Sequence, residues 1–221
     1  MTTIPQLDPF AHRDAIPAVA GVAEEDAARS CVYRLLARFL SAPPDDTALA
    51  IAGSLEGDDG ELGQALGAFA RVARATTPPE ARDEFDQLFV GLVRGELVPY
   101  ASFYLTGFLY ERPLSALRTD LARLGVARAA TCSEPEDHVA ALCDLMAALI
   151  DGEYGQGRLA DQQDIFDRHL APWTARFFGD LERARSSRLY APLGSLGRIF
   201  MDIEATAFAM AAGEVGDEQR R

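Results

Sequence analysis

The residues of this chain best suited to chemistry stand together at Glu134-Pro135-Glu136-Asp137-His138. A carboxylate beside an imidazole is the minimum for general acid–base work. Glu134 and His138, four residues apart, could instead share a metal ion with Asp137 or His169. Neither reading has a companion motif: the chain has no HExxH, no paired ExxH of the di-iron bundles and no flanking nucleophile signature. Ser133 precedes Glu136 by the capping-box spacing, so Asp137 and His138 are expected in the first turn of a helix. Adjacent helical residues point about 100° apart, which separates the two side chains. In a first turn the helix dipole favours Asp137 as an anion and opposes protonation of His138, while unpaired backbone N–H groups can donate to an incoming acceptor.

Two stretches upstream must position this pair. Phe85, Leu88, Phe89 and Leu92 fall at i, i+3, i+4 and i+7, one apolar helical face that by periodicity alone is ordinary core. Pro99 holds Val98 extended, so the chain has to turn before Tyr100. Tyr100, Ser102 and Tyr104 share one side if extended and diverge if helical. Tyr100 is expected to face a groove, and Ser102 to bond local backbone.

These three stretches, Phe85-x-x-Leu88-Phe89-x-Gly91, Pro99-Tyr100-x-Ser102-x-Tyr104-Leu105 and Glu134-Pro135-Glu136-Asp137-His138, resemble the TorD family of chaperones, which includes the DmsD and NarJ types. The resemblance implies a cytoplasmic, non-enzymatic escort. It would bind the twin-arginine signal peptide and the apo form of a molybdenum-cofactor oxidoreductase, assisting cofactor insertion and delaying export. It implies a client of formate dehydrogenase or dimethyl sulfoxide reductase type, and a monomer or domain-swapped dimer. Carried onto this chain, the client-binding residues are Phe85, Leu88, Phe89, Pro99, Tyr100, Ser102, Tyr104, Glu134, Pro135, Asp137 and His138. Asp137 would be available to the arginines of the signal. The chain departs from the family where Phe85 replaces Tyr or Trp, and where Leu92-Val93-Arg94 replaces a glycine-rich loop.

Composition agrees with a peptide partner. The net charge is −13, and every basic residue is an arginine. That balance opposes a nucleic-acid footprint, and the absence of lysine excludes a Walker-type phosphate loop. Gly155-x-Gly157 follows no strand, so no cofactor is expected. Cys31, Cys132 and Cys143 form no CxxC, which fits a reducing compartment; Cys31 and Cys143 read as buried, and Cys132 as the thiol to test for reactivity. The apolar run before Ala23 contains Pro17 and lacks a basic approach, arguing against a signal peptide. No run nears the roughly 20 apolar residues of a membrane span, so stable membrane insertion is not expected.

Helical periodicity dominates, and no alternating strand pattern of useful length occurs. The expected fold is all-α, a single globular helical bundle over residues 23–213 between flexible tails at 1–22 and 214–221. Helices are expected at Glu24–Leu40, Asp46–Leu55, Glu61–Ala75, from Pro78 through Leu92, Pro113–Leu124, Ser133–Ile150, Arg158–His169, Ala171–Arg185 and Tyr190–Ala212. A helical ligand sensor, or a metal-dependent enzyme using Asp137 and His138, remains the alternative to an escort.

Overall fold

The computed structural model describes residues 6–7, 24–91, 94–129, 134–154 and 158–218, with backbone alone for 6–7 and 213–218. The expectations for Leu92, Cys132, Ser133 and Gly155-x-Gly157, and for the N-terminal tail apart from Gln6 and Leu7, fall outside these residues.

The fold is all-α and is built around two helices, α1 (Glu24–Ser41) and α7 (Val139–Ile150). All twelve residues of α7 are buried. Its sequence VAALCDLMAALI is apolar all round, which suits a helix only where neighbours cover every face. The one charge on it, Asp144, faces Arg34 of α1 at 3.6 Å, and Arg34 also reaches Asp151 at 2.6 Å and Glu153 at 2.7 Å. Burying a guanidinium is tolerable only with such company.

Around this pair stand α2 (Asp46–Ser54), α3 (Glu61–Ala75), α4 (Pro78–Phe85), α6 (Arg112–Arg123), α8 (Leu159–Ile165), α9 (Thr174–Arg183) and α10 (Tyr190–Glu218). Asp45 caps α2 through Ala48 N at 2.8 Å, and Thr77 with Glu80 forms the capping box of α4, whose first position is Pro78. α9 and α10 lie so close that a Cβ on Gly194 would come within 2.6 Å of Glu182 N, and one on Gly197 within 2.3 Å of the Phe178 ring. Both positions need glycine for that approach.

Several boundaries differ from expectation. The helix begun at Pro78 passes at Asp86–Val90 into a π turn that ends on Gly91 at φ 62°, and a second π turn, Phe166–Leu170, follows α8. Each inserts a residue into the ladder, which a 3.6-residue pattern does not register. Residues Ala101–Thr106 form a short helix, α5, ended by Gly107 at φ 84°. The extended alternative for Tyr100 to Tyr104 therefore fails. Two-residue strands β1 (Gln6–Leu7) and β2 (Ala127–Arg128) pair in parallel, too short to leave a sequence pattern. The backbone of α10 continues to Glu218, beyond Ala212. Ile203, one turn on from the buried Phe200 along α10, is 43% exposed. No helix among the described residues is long and apolar enough to cross a membrane.

Candidate functional site

The segment before α5 and the segment before α7 run antiparallel and cap each other's helices. Val139 N, the first N–H of α7, donates to Pro99 O at 2.9 Å, and Ala101 N, the first of α5, donates to Asp137 O at 3.0 Å. Tyr100 and His138 form the β-bridge between these bonds. The next N–H groups take side chains: Ser102 N donates to Asp137 Oδ2 at 2.8 Å, and Ala140 N to His138 Nδ1 at 3.1 Å. Four donors that helix starts leave orphaned are thus satisfied by one cross-brace.

This corrects the expectation that Asp137 and His138 occupy a first helical turn. His138 is itself the N-cap of α7, with extended backbone at φ −65° and ψ 138°. His138 N donates to Pro135 O at 3.2 Å, so Pro135 closes a turn ahead of the cap. The helix starts only after His138 because the chain first pairs with Pro99 and Tyr100, a contact that no local spacing records. The acid–base pairing lapses with it: Asp137 and His138 each accept from a different backbone N–H.

Three further contacts tighten the brace. The Tyr100 and His138 rings meet edge to face at 4.9 Å, and the Tyr100 hydroxyl donates to Glu134. Glu136 receives Arg118 Nε at 3.1 Å and its terminal nitrogen at 2.9 Å. Burial holds the His138 imidazole down at about 4, neutral at physiological pH. Burial, then the Glu134 carboxylate, pushes the Tyr100 phenol up. Within the brace, the buried Asp137 Oδ1 and Ser102 Oγ have no hydrogen-bond partner among the described residues. Ser102 therefore does not bond local backbone through its hydroxyl, as the sequence suggested; its N–H does the work instead.

The other anticipated residues divide. Leu88 is fully buried, and Phe85 and Phe89 pack on each other at 5.0 Å and on Tyr190 at 6.2 and 5.5 Å. Tyr104 turns away, against Trp173 and Phe177 at 5.3 and 5.8 Å, with its hydroxyl 3.3 Å from Asp180. Phe89, Pro99 and Tyr100 line a groove of about 440 Å³, whose other walls include Val90, Arg94, Phe103, Phe108 and Leu109. Phe108 and Tyr110 are 70% and 71% exposed, and Val90 and Leu105 stand out beside them. Tyr110 holds a left-handed φ of 62°, strain that a β-carbon-bearing residue rarely carries. Sequence reasoning missed Phe103, Phe108 and Leu109, although an aromatic run between Gly107 and Pro113, too short for a helix, was the available signal. It also missed Glu84, whose carboxylate accepts from Arg188, Leu189 and Tyr190 N at 2.7, 3.1 and 2.9 Å and so caps α10 from a distant part of the chain.

The arrangement offers an apolar, aromatic groove backed by a rigid polar brace, a surface for binding rather than a set of reacting groups. His138 Nδ1 and the Glu134 carboxylate both already serve internal bonds, which leaves little for a metal.

Comparison with known proteins agrees. The family described as nitrate reductase delta subunit matches residues 55–179, more than half of the 221. The chain is 29% identical over 130 residues to the chaperone protein TorD of Vibrio cholerae serotype O1, covering 55% of this chain and 59% of that protein. It is 29% identical over 108 residues to the chaperone protein TorD of Aliivibrio salmonicida, covering 44% and 50%. The chain thus spans less than two thirds of the length of these curated relatives. A crystal structure of a proposed redox enzyme maturation protein from Archaeoglobus fulgidus superposes with a TM-score of 0.53 at 20% identity, covering 79% of this chain and 93% of that one, which establishes the shared fold. The matching relatives are chaperones by name, not enzymes. With the family match over most of the braced region, these likenesses make the chain a member of the nitrate reductase delta subunit family, the TorD-type redox-enzyme maturation chaperones.

Proposed function

We propose that this protein is a cytoplasmic, system-specific chaperone that binds the twin-arginine signal peptide and the apo form of a molybdenum-cofactor oxidoreductase, assisting cofactor insertion and delaying export. The observation that carries the reading is the groove lined by Phe89, Tyr100, Phe103, Phe108 and Leu109, with exposed aromatics at its edge. Exposed apolar surface of this kind marks a site of association. The apolar part of the signal lies in the groove, and the partly exposed Glu134, at the Tyr100 hydroxyl, meets the arginines at its edge. Phe85, Leu88, Ser102, Asp137 and His138 act from behind by fixing the wall, and Pro99 and Pro135 fix the two backbone turns. Tyr104 ties α5 to α9. A formate dehydrogenase or a dimethyl sulfoxide reductase-type enzyme supplies the client. The net charge of −13 favours a cationic segment.

The test is capture of the tagged full chain from cells making such a precursor, with titration of a synthetic twin-arginine signal peptide. A molybdoenzyme precursor should be enriched, and Phe108→Ala should weaken the peptide about tenfold, corresponding to about 1.4 kcal/mol. Equal binding of the peptide by both proteins would sink the placement in the groove. Absence of any precursor from cells shown to make one would sink the escort reading.

A further inference from the structure

A second and larger concavity lies elsewhere on the molecule, sharing no residue with the groove beside Tyr100. It is a trough of about 780 Å³ between α1 and α10, floored by Leu62 and Leu66 of α3. From α10 it takes Phe200, Ile203, Glu204, Ala207, Phe208 and Ala211, spaced i, i+3, i+4, i+7, i+8 and i+11. That is a continuous helical stripe, the pattern normally spent on covering a core. Here part of it stays open, with Ile203 43% exposed. From Phe200 to Ala211 the stripe rises about 16 Å, enough for about three turns of another helix.

The charges along the trough select its occupant. Its charged lining consists of Glu25, Asp26, Arg29 and Glu204, three carboxylates to one guanidinium. Arg29 is fully engaged: Nε and one terminal nitrogen donate to Glu204 at 2.7 and 2.9 Å, and the other donates to Asp26 at 2.7 Å. The Tyr33 hydroxyl completes Glu204 at 3.0 Å. Among the described residues, no cation in the lining is left for a fatty-acid carboxylate, a phosphate or a nucleotide. Glu25 is exposed at the end of the trough where α1 begins, so the excess charge is acidic.

We infer that the α1/α10 trough is a second client-binding surface, receiving an apolar helix that carries arginine or lysine at its flank. It rests on the chaperone reading for the source of that helix, a segment of the client other than its signal peptide. The mode is a helix laid into a groove, with apolar anchors at i, i+3, i+4 and i+7 and a basic flank against Glu25.

The test uses the full chain and a fluorescent helical probe of alanine and leucine about three to four turns long, flanked by two arginines, with a glutamate-flanked counterpart. Binding is read by anisotropy. The arginine probe should bind, the glutamate probe at least tenfold more weakly. Ile203→Glu and Ala207→Glu, both at exposed positions and each checked for helicity and melting temperature, should weaken the arginine probe at least tenfold. Phe108→Ala should leave it unchanged while weakening the twin-arginine signal peptide, so loss of one reading is separable from loss of the other. Equal affinity for the two probes overturns the inference, as does unaltered binding in both trough variants. It is also overturned if a co-purifying lipid is lost in Ile203→Glu, or if that substitution abolishes a dimer, since either would give the trough a different occupant.

Discussion

The brace and the groove share Tyr100 and differ in almost everything else. In the brace, Asp137, His138 and Ser102 are buried and spend backbone and side-chain groups on capping two helices. Across the Tyr100 ring, Phe108 and Tyr110 are exposed, and Tyr110 holds a strained backbone. The difference teaches that recognisable residues and contacting residues need not coincide. In the proposed binding mode, the motif that identifies the family supplies mostly the mount, and the aromatic loop after α5 supplies the surface.

Substitutions on the two sides should therefore separate stability from binding. The largest effect is expected behind the groove. Leu88→Ala empties a fully buried position and should cost about 4 kcal/mol in chemical denaturation, with signal-peptide binding lost mainly as the fold is lost. A variant of full stability that has lost binding would move Leu88 to the contacting side.

The next concerns pH. His138 is buried and its pKa lies at about 4, below the ordinary imidazole value of 6.5. Between those values the unfolded chain takes up a proton that the folded chain refuses, so stability is complete above about pH 6.5 and falls as the pH drops towards 4. The loss should approach roughly 3 kcal/mol. His138→Asn keeps a capping acceptor for Ala140 N and should remove that part of the slope. Urea melts of both proteins from pH 7 to pH 4 measure it; parallel curves would mean that His138 is not the group concerned.

Asp137→Ala removes the acceptor of Ser102 N and should cost about 2 kcal/mol, as expected for a buried donor left unmet. Hydrogen exchange should accelerate first at the starts of α5 and α7, because each helix is capped by the other's approach segment. Uniform acceleration across the bundle would deny the brace its local character.

The smallest stability change is expected at Phe108→Ala, within about 0.5 kcal/mol, against about a tenfold loss of signal-peptide affinity. That pairing of a small fold effect with a large binding effect is the mirror image of Leu88→Ala. A thermal melt alongside peptide titration decides whether the two sides are distinct.

Much of the scaffold was legible in the chain. Glu61–Ala75 was legible from its apolar spacing and the body of α7 from its dense apolar residues, because helix propagation is settled within a few residues. The three motifs likewise sufficed to name the family. What the tertiary structure alone decided was non-local. Glu84 caps α10 across more than a hundred residues, Asp137 caps α5 across 35, and His138 becomes a cap because Pro99 meets Val139. An orphan N–H at a helix start donates to any carboxylate the fold delivers, so the sequence next to it carries no trace of its acceptor. Exposure was equally hidden: Ile203 and Phe208 belong to one periodic stripe, yet Phe208 is covered by Phe166 at 5.1 Å and by Arg29, while Ile203 stays open. Periodicity is written in the chain, whereas the presence of a neighbour to cover it is a property of packing.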